Sequence, residues 1–397
     1  MVVVLAFAAT LLVAVLVSAL AHRSVLSTAV LFLLAGLVLG SGVLNVVRVR
    51  PESPLVSTFA ELALFSVLFT DGMRVTTDDL RSAALPGRAL ALGLPITLLL
   101  TAALAHFVAR QNWSESLLLG AVLSPTDPVF AAAIVGRDEV PYRLRRLLNV
   151  ESGLNDGLAL PVVVVLLAVV AGGPVHGARL AAELAGGIAL GIGIPWIAIR
   201  LERLPILGAA ALYQPLNAFA LGLIVLSVAS LTHANEFLAA FAAGITVATL
   251  SPAMRAAFHE FGDLIAELLK LAALLLFGAL ISPSFLAEIP LTGYAFAVLA
   301  LVVVRPVALA VALFRGGLDR REWVAAAWFG PKGFASVVYG LLILESGVAD
   351  ADRLFHLVAV VIALSILAHA STDVVVARWF LPPVDEPGDG EAQQPAG

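Results

Sequence analysis

Glu151, Ser152, Asn155 and Asp156 sit together in a stretch, from about Tyr142 to Ala171, that is otherwise apolar enough to cross a bilayer. A carboxylate at the centre of such a helix costs roughly 2.5–3.5 kcal/mol on insertion scales, so an intramembrane carboxylate is a functional signal by default. Ser152, Asn155 and Asp156 are spaced i, i+3, i+4 and share one helical face. Hydroxyl, amide and carboxylate oxygens on one face suit a hard cation. Glu151 precedes Asp156 by five residues, about 140° around a helix of 3.6 residues per turn. It needs a different partner, and Arg305, within Leu301-Val-Val-Val-Arg-Pro306, supplies one, because charges inside a membrane usually pair.

Two further apolar stretches carry a polar break at mid-depth, Ser124-Pro-Thr-Asp-Pro128 and Gly330-Pro-Lys-Gly333. Proline removes a backbone donor and glycine loosens a helix, so both stretches are expected to unwind there. Paired interrupted helices in the two halves of a transporter mark its binding site. Thr126 and Asp127, with the carbonyls freed by the break, add oxygen ligands for a small cation. Lys332, at the matching break, reads as compensating the half-helix dipoles or the carboxylates at the crossing. Asp71 reads equally well as an entrance-lining or ligating carboxylate and as an ordinary interfacial one; Glu61 reads as interfacial. Lys270 follows Asp263 and Glu267 at helical spacing and reads as a snorkelling or locally paired lysine. His369 and Asp373 are four residues apart and read as a hydrogen-bonded packing pair, with a proton relay as the alternative. His259-Glu260 lacks the second histidine of a zinc-protease motif.

These residues must be positioned by membrane helices. Hydrophobic residues make up 61% of the 397, charged ones only 13%, and the mean hydropathy is +1.02; a soluble domain is nearer 25% charged. No cysteine is present, which excludes disulfide and thiol chemistry, and the net charge of −5 gives no nucleic-acid footprint. Thirteen apolar spans are expected, near 2–21, 25–45, 56–73, 87–109, 115–136, 143–171, 177–199, 207–231, 236–251, 262–282, 290–314, 321–345 and 355–378. The first lacks a basic n-region and is read as a membrane helix rather than a signal peptide. Fifteen of the 23 basic residues fall in loops of one parity and five in the other, with Lys270, Arg305 and Lys332 inside spans. That bias places the N-terminus outside and the C-terminus in the cytoplasm of a multi-pass cell-membrane protein. The Pro/Gly/acidic residues 381–397 read as a short disordered cytoplasmic tail. Spans one to six and eight to thirteen form two inverted six-helix repeats, in which the fifth span corresponds to the twelfth. The fold class is therefore an all-α polytopic membrane protein with two broken helices crossing at mid-membrane.

Ser124-Pro-Thr-Asp-Pro-Val129, followed 22 residues later by Glu151-Ser-Gly-Leu-Asn-Asp-Gly157, resembles the monovalent cation:proton antiporter-1 family, the NhaP-type sodium/proton exchangers. The span count, the mid-span Arg305 and the Gly-Pro-Lys-Gly break extend the similarity over nearly the whole chain. The resemblance implies a homodimer. Dimerisation helices would include 1–45 and 177–251, and a moving core would be built from helices near 56–171 and 262–378. It implies that Asp156 is the essential ion-binding aspartate, that Asp127, Thr126 and Ser152 help ligate sodium, and that Asn155 orders the site. Asp71 takes the place of an acidic residue near the cytoplasmic funnel. Lys332 departs from the arginine often found there, which bears on ion selectivity and pH response.

The implied chemistry is competition: one carboxylate holds a proton or a cation, and the loaded core crosses in either state. No cofactor is needed beyond the transported sodium (or lithium) and protons. An Asn-Asp pair goes in the family with one-for-one electroneutral exchange, in keeping with an Asn155 that cannot take up a proton. The nearest rival is a potassium/proton antiporter. A gated potassium-efflux system is disfavoured, because no nucleotide-binding or regulatory domain is expected after Pro382. An intramembrane hydrolase using Ser152 lacks a Gly-x-Ser-x-Gly context, and a cation channel would be separated from a carrier by turnover and coupling.

Overall fold

The computed structural model describes residues 1–21, 28–40, 42–49, 53–74, 84–127, 134, 137, 139–172, 177–204 and 206–380. The tail at 381–397, the loop arginines Arg23, Arg50 and Arg81, and most of the fifth span beyond Asp127 lie outside the described residues. All regular structure among the described residues is helical. The helices are α1 (Val2–Ala21), α2 (Thr28–Leu39), α3 (Pro54–Arg74), α4 (Ala84–Phe107), α5 (Trp113–Val122), α6 (Tyr142–Val170) and α7 (Gly177–Glu202). They continue with α8 (Gln214–Leu231), α9 (Glu236–Leu250), α10 (Pro252–Leu280), α11 (Leu291–Ala312), α12 (Arg320–Trp328), α13 (Phe334–Glu345) and α14 (Ala351–Ala377). Six helical stretches are long and apolar enough to cross a membrane by length and composition, namely α4, α6, α7, α8, α11 and Ala351–Phe380; α2, α9 and α13 are shorter apolar helices.

A helix overlaps each expected span, with shifted ends. Helix α5 stops at Val122, well before 136, and α10 starts at Pro252 rather than near 262. Ser251 caps α10, its Oγ accepting from the Met254 N–H at 3.4 Å, and proline occupies the first turn, where its missing N–H is no loss. Helix α9 packs between α3 and α7, α10 lies against α2 and α3, α4 and α6 flank α5, and α13 rests on α14.

Local features recur at the places the two repeats predict. Both α4 and α11 contain a π-helical stretch, Ala89–Gly93 and Ala300–Val304, and these two helices touch each other. Both interrupted helices open with a capping box, Asn112 with Glu115 at α5 and Asp319 with Glu322 at α12. Each box satisfies two N–H groups that the first helical turn leaves orphaned. In the second box Glu322 is only 1% exposed and also receives Arg143 from the start of α6, whose Nε donates at 2.5 Å. The start of α12 is thereby fixed to α6, the helix that carries Asp156.

Candidate ion-binding site

The two breaks meet. Helix α5 ends at Val122 and α12 at Trp328, and the extended segments that follow bond to each other through Asp127 N–H to Pro331 O at 2.9 Å. Groups unpaired by the interruptions cannot turn to water in a bilayer, so side chains must satisfy them. Ser336 Oγ donates to Val122 O at 2.7 Å, and Asp127 Oδ2 accepts from the Phe334 N–H at 3.3 Å, at the N-terminus of α13. From α14, Ser365 Oγ accepts from the Lys332 N–H at 2.7 Å, and His369 Nε2 lies 3.0 Å from Trp328 O. Gly333 permits this approach, since a Cβ there would run into the Asp127 side chain. The hydrogen bonds of His369 go to Ser365 and Trp328, which corrects the expected pairing with Asp373. His369 Nδ1 lies 2.7 Å from Ser365 O and 3.1 Å from Ser365 Oγ, and Nε2 faces Trp328 O. His369 therefore caps the C-terminus of α12.

The α6 face predicted from spacing turns toward the α5 break. Thr126 Oγ1 and Ser152 Oγ are 3.1 Å apart, and Asn155 Nδ2 donates to Thr126 Oγ1 at 2.7 Å. The structure thus brings Thr126, Ser152 and Asn155 together, all at most 5% exposed. Asn155 Oδ1 is buried with no hydrogen-bond partner among the described residues. Asp156 is 4% exposed, and among the described residues none donates a hydrogen bond to its carboxylate. Its backbone carbonyl accepts from Tyr339 Oη at 2.9 Å, which anchors α6 to α13. Spacing could have flagged Ser336 and Tyr339, three residues apart beyond the Gly-Pro-Lys-Gly break.

Glu151 faces elsewhere, as its angular offset requires. Arg305 grips it with two parallel bonds, Nη1 to Oε1 at 2.7 Å and Nη2 to Oε2 at 3.0 Å, while Nε donates to Ala326 O at 3.0 Å. The π stretch of α11 ends at Val304, immediately before Arg305. Gly330 makes room for the guanidinium, which a Cβ would strike. Lys332 is 3% exposed, and its charge acts on Arg305 and Glu151.

The cation beside Asp127 is Lys270. It is 8% exposed, and its Nζ lies 3.8 Å from Asp127 Oδ1. This corrects the reading of a snorkelling lysine, although Glu267 also acts on it. Lys270 lines a cavity of about 280 Å³ together with Thr70, Asp71, Arg74, Asp263 and Glu267. Across this cavity Arg74 bridges two helices, reaching Asp71 Oδ1 at 3.1 Å and Asp263 Oδ1 at 2.9 Å. Asp71 is buried within α3 and faces the cavity, close enough for its charge to act on Lys270, Asp127 and Asp156.

Comparison with known proteins places the chain among cation/proton antiporters. The K(+)/H(+) antiporter NhaP2 of Shewanella baltica (strain OS223) is 27% identical over 82% of this chain and 58% of its own length. The K(+)/H(+) antiporter NhaP of Alkalimonas amylolytica is 28% identical over 80% of this chain and 56% of its own length. The chain thus spans less than two thirds of these relatives. The solved sodium proton antiporter MjNhaP1 from Methanocaldococcus jannaschii superposes with a TM-score of 0.76 at 20% identity, covering 95% of this chain and 99% of that one, so the fold is shared. Residues 9–378 match the family described as sodium/hydrogen exchanger, transmembrane. This multi-pass membrane protein belongs to the sodium/hydrogen exchanger family.

Proposed function

We propose that the chain is a secondary active transporter that exchanges sodium or lithium for protons by alternating access, with ion and proton competing for Asp156. The observation that carries this reading is a buried carboxylate, inside a membrane-crossing helix, to which no described residue donates a hydrogen bond. A buried charge persists only if paired or bound to a cation; otherwise it takes up a proton. Asp156 meets that requirement by alternation. Thr126, Ser152 and Asn155 supply neutral oxygens beside it, including the unpartnered Asn155 Oδ1. The carboxylates of Asp127 and Asp71 stand close enough for their charges to act on Asp156. Protons arriving on one side displace the metal ion, which leaves on the other.

One carboxylate that alternates between one proton and one monovalent cation moves no net charge, because Asn155 does not titrate. Exchange is accordingly electroneutral, one for one; a transport current that reverses with membrane potential would contradict this. The moving core comprises helices near 56–171 and 262–378, and helices including 1–45 and 177–251 form the contact of a homodimer. The N-terminus faces outward and the C-terminus the cytoplasm. Potassium as the cation is favoured by one observation, the K(+)/H(+) activity in the names of the relatives. Proton flux in proteoliposomes, driven by sodium, lithium or potassium gradients from roughly pH 6 to 9, tests both readings. Sodium- or lithium-driven flux supports the first, potassium-driven flux alone selects the second, and flux with none of the three rejects exchange.

A further inference from the structure

Asp127 is engaged on both oxygens. Oδ2 faces the Phe334 N–H at the positive end of α13, and Oδ1 faces the Lys270 ammonium. The same ammonium acts on Asp71 and Asp156, and it stands where the cavity meets the crossing. A cation entering by this cavity meets the fixed charge of Lys270 before it reaches Asp156. We propose that Lys270 is a tethered counter-cation that occupies Asp127, leaves the Asp156 carboxylate to the transported ion, and thereby sets cation affinity. This rests on Asp156 being the exchange carboxylate.

The arrangement is a balance of fixed charges, so its two members act on cation affinity with opposite sign. Removing Lys270 unmasks the negative charge of Asp127 and strengthens binding. Removing Asp127 leaves Lys270 unopposed and weakens binding. Each unpaired charge acts through a low-dielectric interior, where the effect on a nearby ion is about tenfold or more. Removing both restores the original sum. A directly ligating Asp127 behaves differently, since its loss then weakens binding whether or not Lys270 is present.

The test measures sodium, lithium and potassium binding by calorimetry on the purified full chain, alongside the cation KM for proton exchange in proteoliposomes. The variants are Lys270→Met, Asp127→Asn and the double variant. The expected result is an approximately tenfold fall in Kd and KM for Lys270→Met, a rise of similar size for Asp127→Asn, and values within about threefold of wild type for the double variant. If Lys270→Met fails to fold, the double variant, which buries no unpaired charge, compared with Asp127→Asn still isolates the lysine. A double variant as weak as Asp127→Asn, or a Lys270→Met that binds as wild type does, overturns the proposal. If wild type shows no cation-driven exchange, or Asp156→Asn exchanges normally, the parent reading fails instead, and the pattern of signs in the binding data still decides the role of Lys270.

Discussion

Two buried ion pairs of the core are built differently. Glu151 and Arg305 meet in a closed, bidentate geometry, with both bonds at or under 3.0 Å and the third guanidinium donor spent on Ala326 O. Asp127 and Lys270 meet through one contact at 3.8 Å, and the lysine lines a cavity. The first pair ties α6, α11 and α12 together. The second is loose, borders that cavity, and depends on a point charge carried by a flexible stem. Arginine suits the tie because its fork is planar and permanently charged, whereas lysine suits a position that has to yield. Close in space to Asp156, only the second pair has the geometry to answer to a passing cation.

Breaking the tie should have the largest effect on stability. Arg305→Ala leaves Glu151 buried and unpaired and is expected to lose about 3–5 kcal/mol, while the double variant Glu151→Gln/Arg305→Met recovers most of that loss. Thermal unfolding in detergent measures both, and an Arg305→Ala protein as stable as wild type would remove the distinction between the pairs. Lys270→Met should lose less than half as much, because the loose pair faces a cavity that water can reach. Equal losses would show that the two pairs do the same work.

Smaller effects sharpen the picture around the crossing. Gly333→Ala places a methyl group against the Asp127 side chain and should cost about 1–3 kcal/mol, with slower exchange. Unimpaired exchange in that variant would mean that the position of Asp127 is not critical. Ser365→Ala strips the acceptor from the Lys332 N–H and should cost about 1 kcal/mol, with cation KM unchanged. A shift in KM would draw the α14 network into the ion site.

Periodicity accounts for what was legible in the sequence. The shared face of Ser152, Asn155 and Asp156, and the turning of Glu151 toward Arg305, follow from residue spacing on a single helix plus the rule that buried charges pair. Proline and glycine locate both breaks, although they do not tell that Ser336, Ser365 and His369 satisfy the groups those breaks release. The pairing of Lys270 was not legible, because Glu267 three residues earlier offers a plausible local partner, whereas Asp127 lies in the extended segment after α5. His369 misled for the same reason. A local i, i+4 carboxylate competes in the reading with a distant carbonyl, and no pattern reveals that the C-terminus of α12 needs a donor. The π stretches of α4 and α11 leave no mark in the residue types, yet one of them ends where Arg305 begins.

The proposed exchange requires Asp156 to alternate between proton and cation. The direct test is cation-driven proton flux in proteoliposomes for wild type and Asp156→Asn, with thermal unfolding and size-exclusion profiles confirming that the variant is folded. Exchange is expected in wild type and none in a folded Asp156→Asn protein. Sodium-, lithium- or potassium-driven proton movement that persists in Asp156→Asn would contradict it.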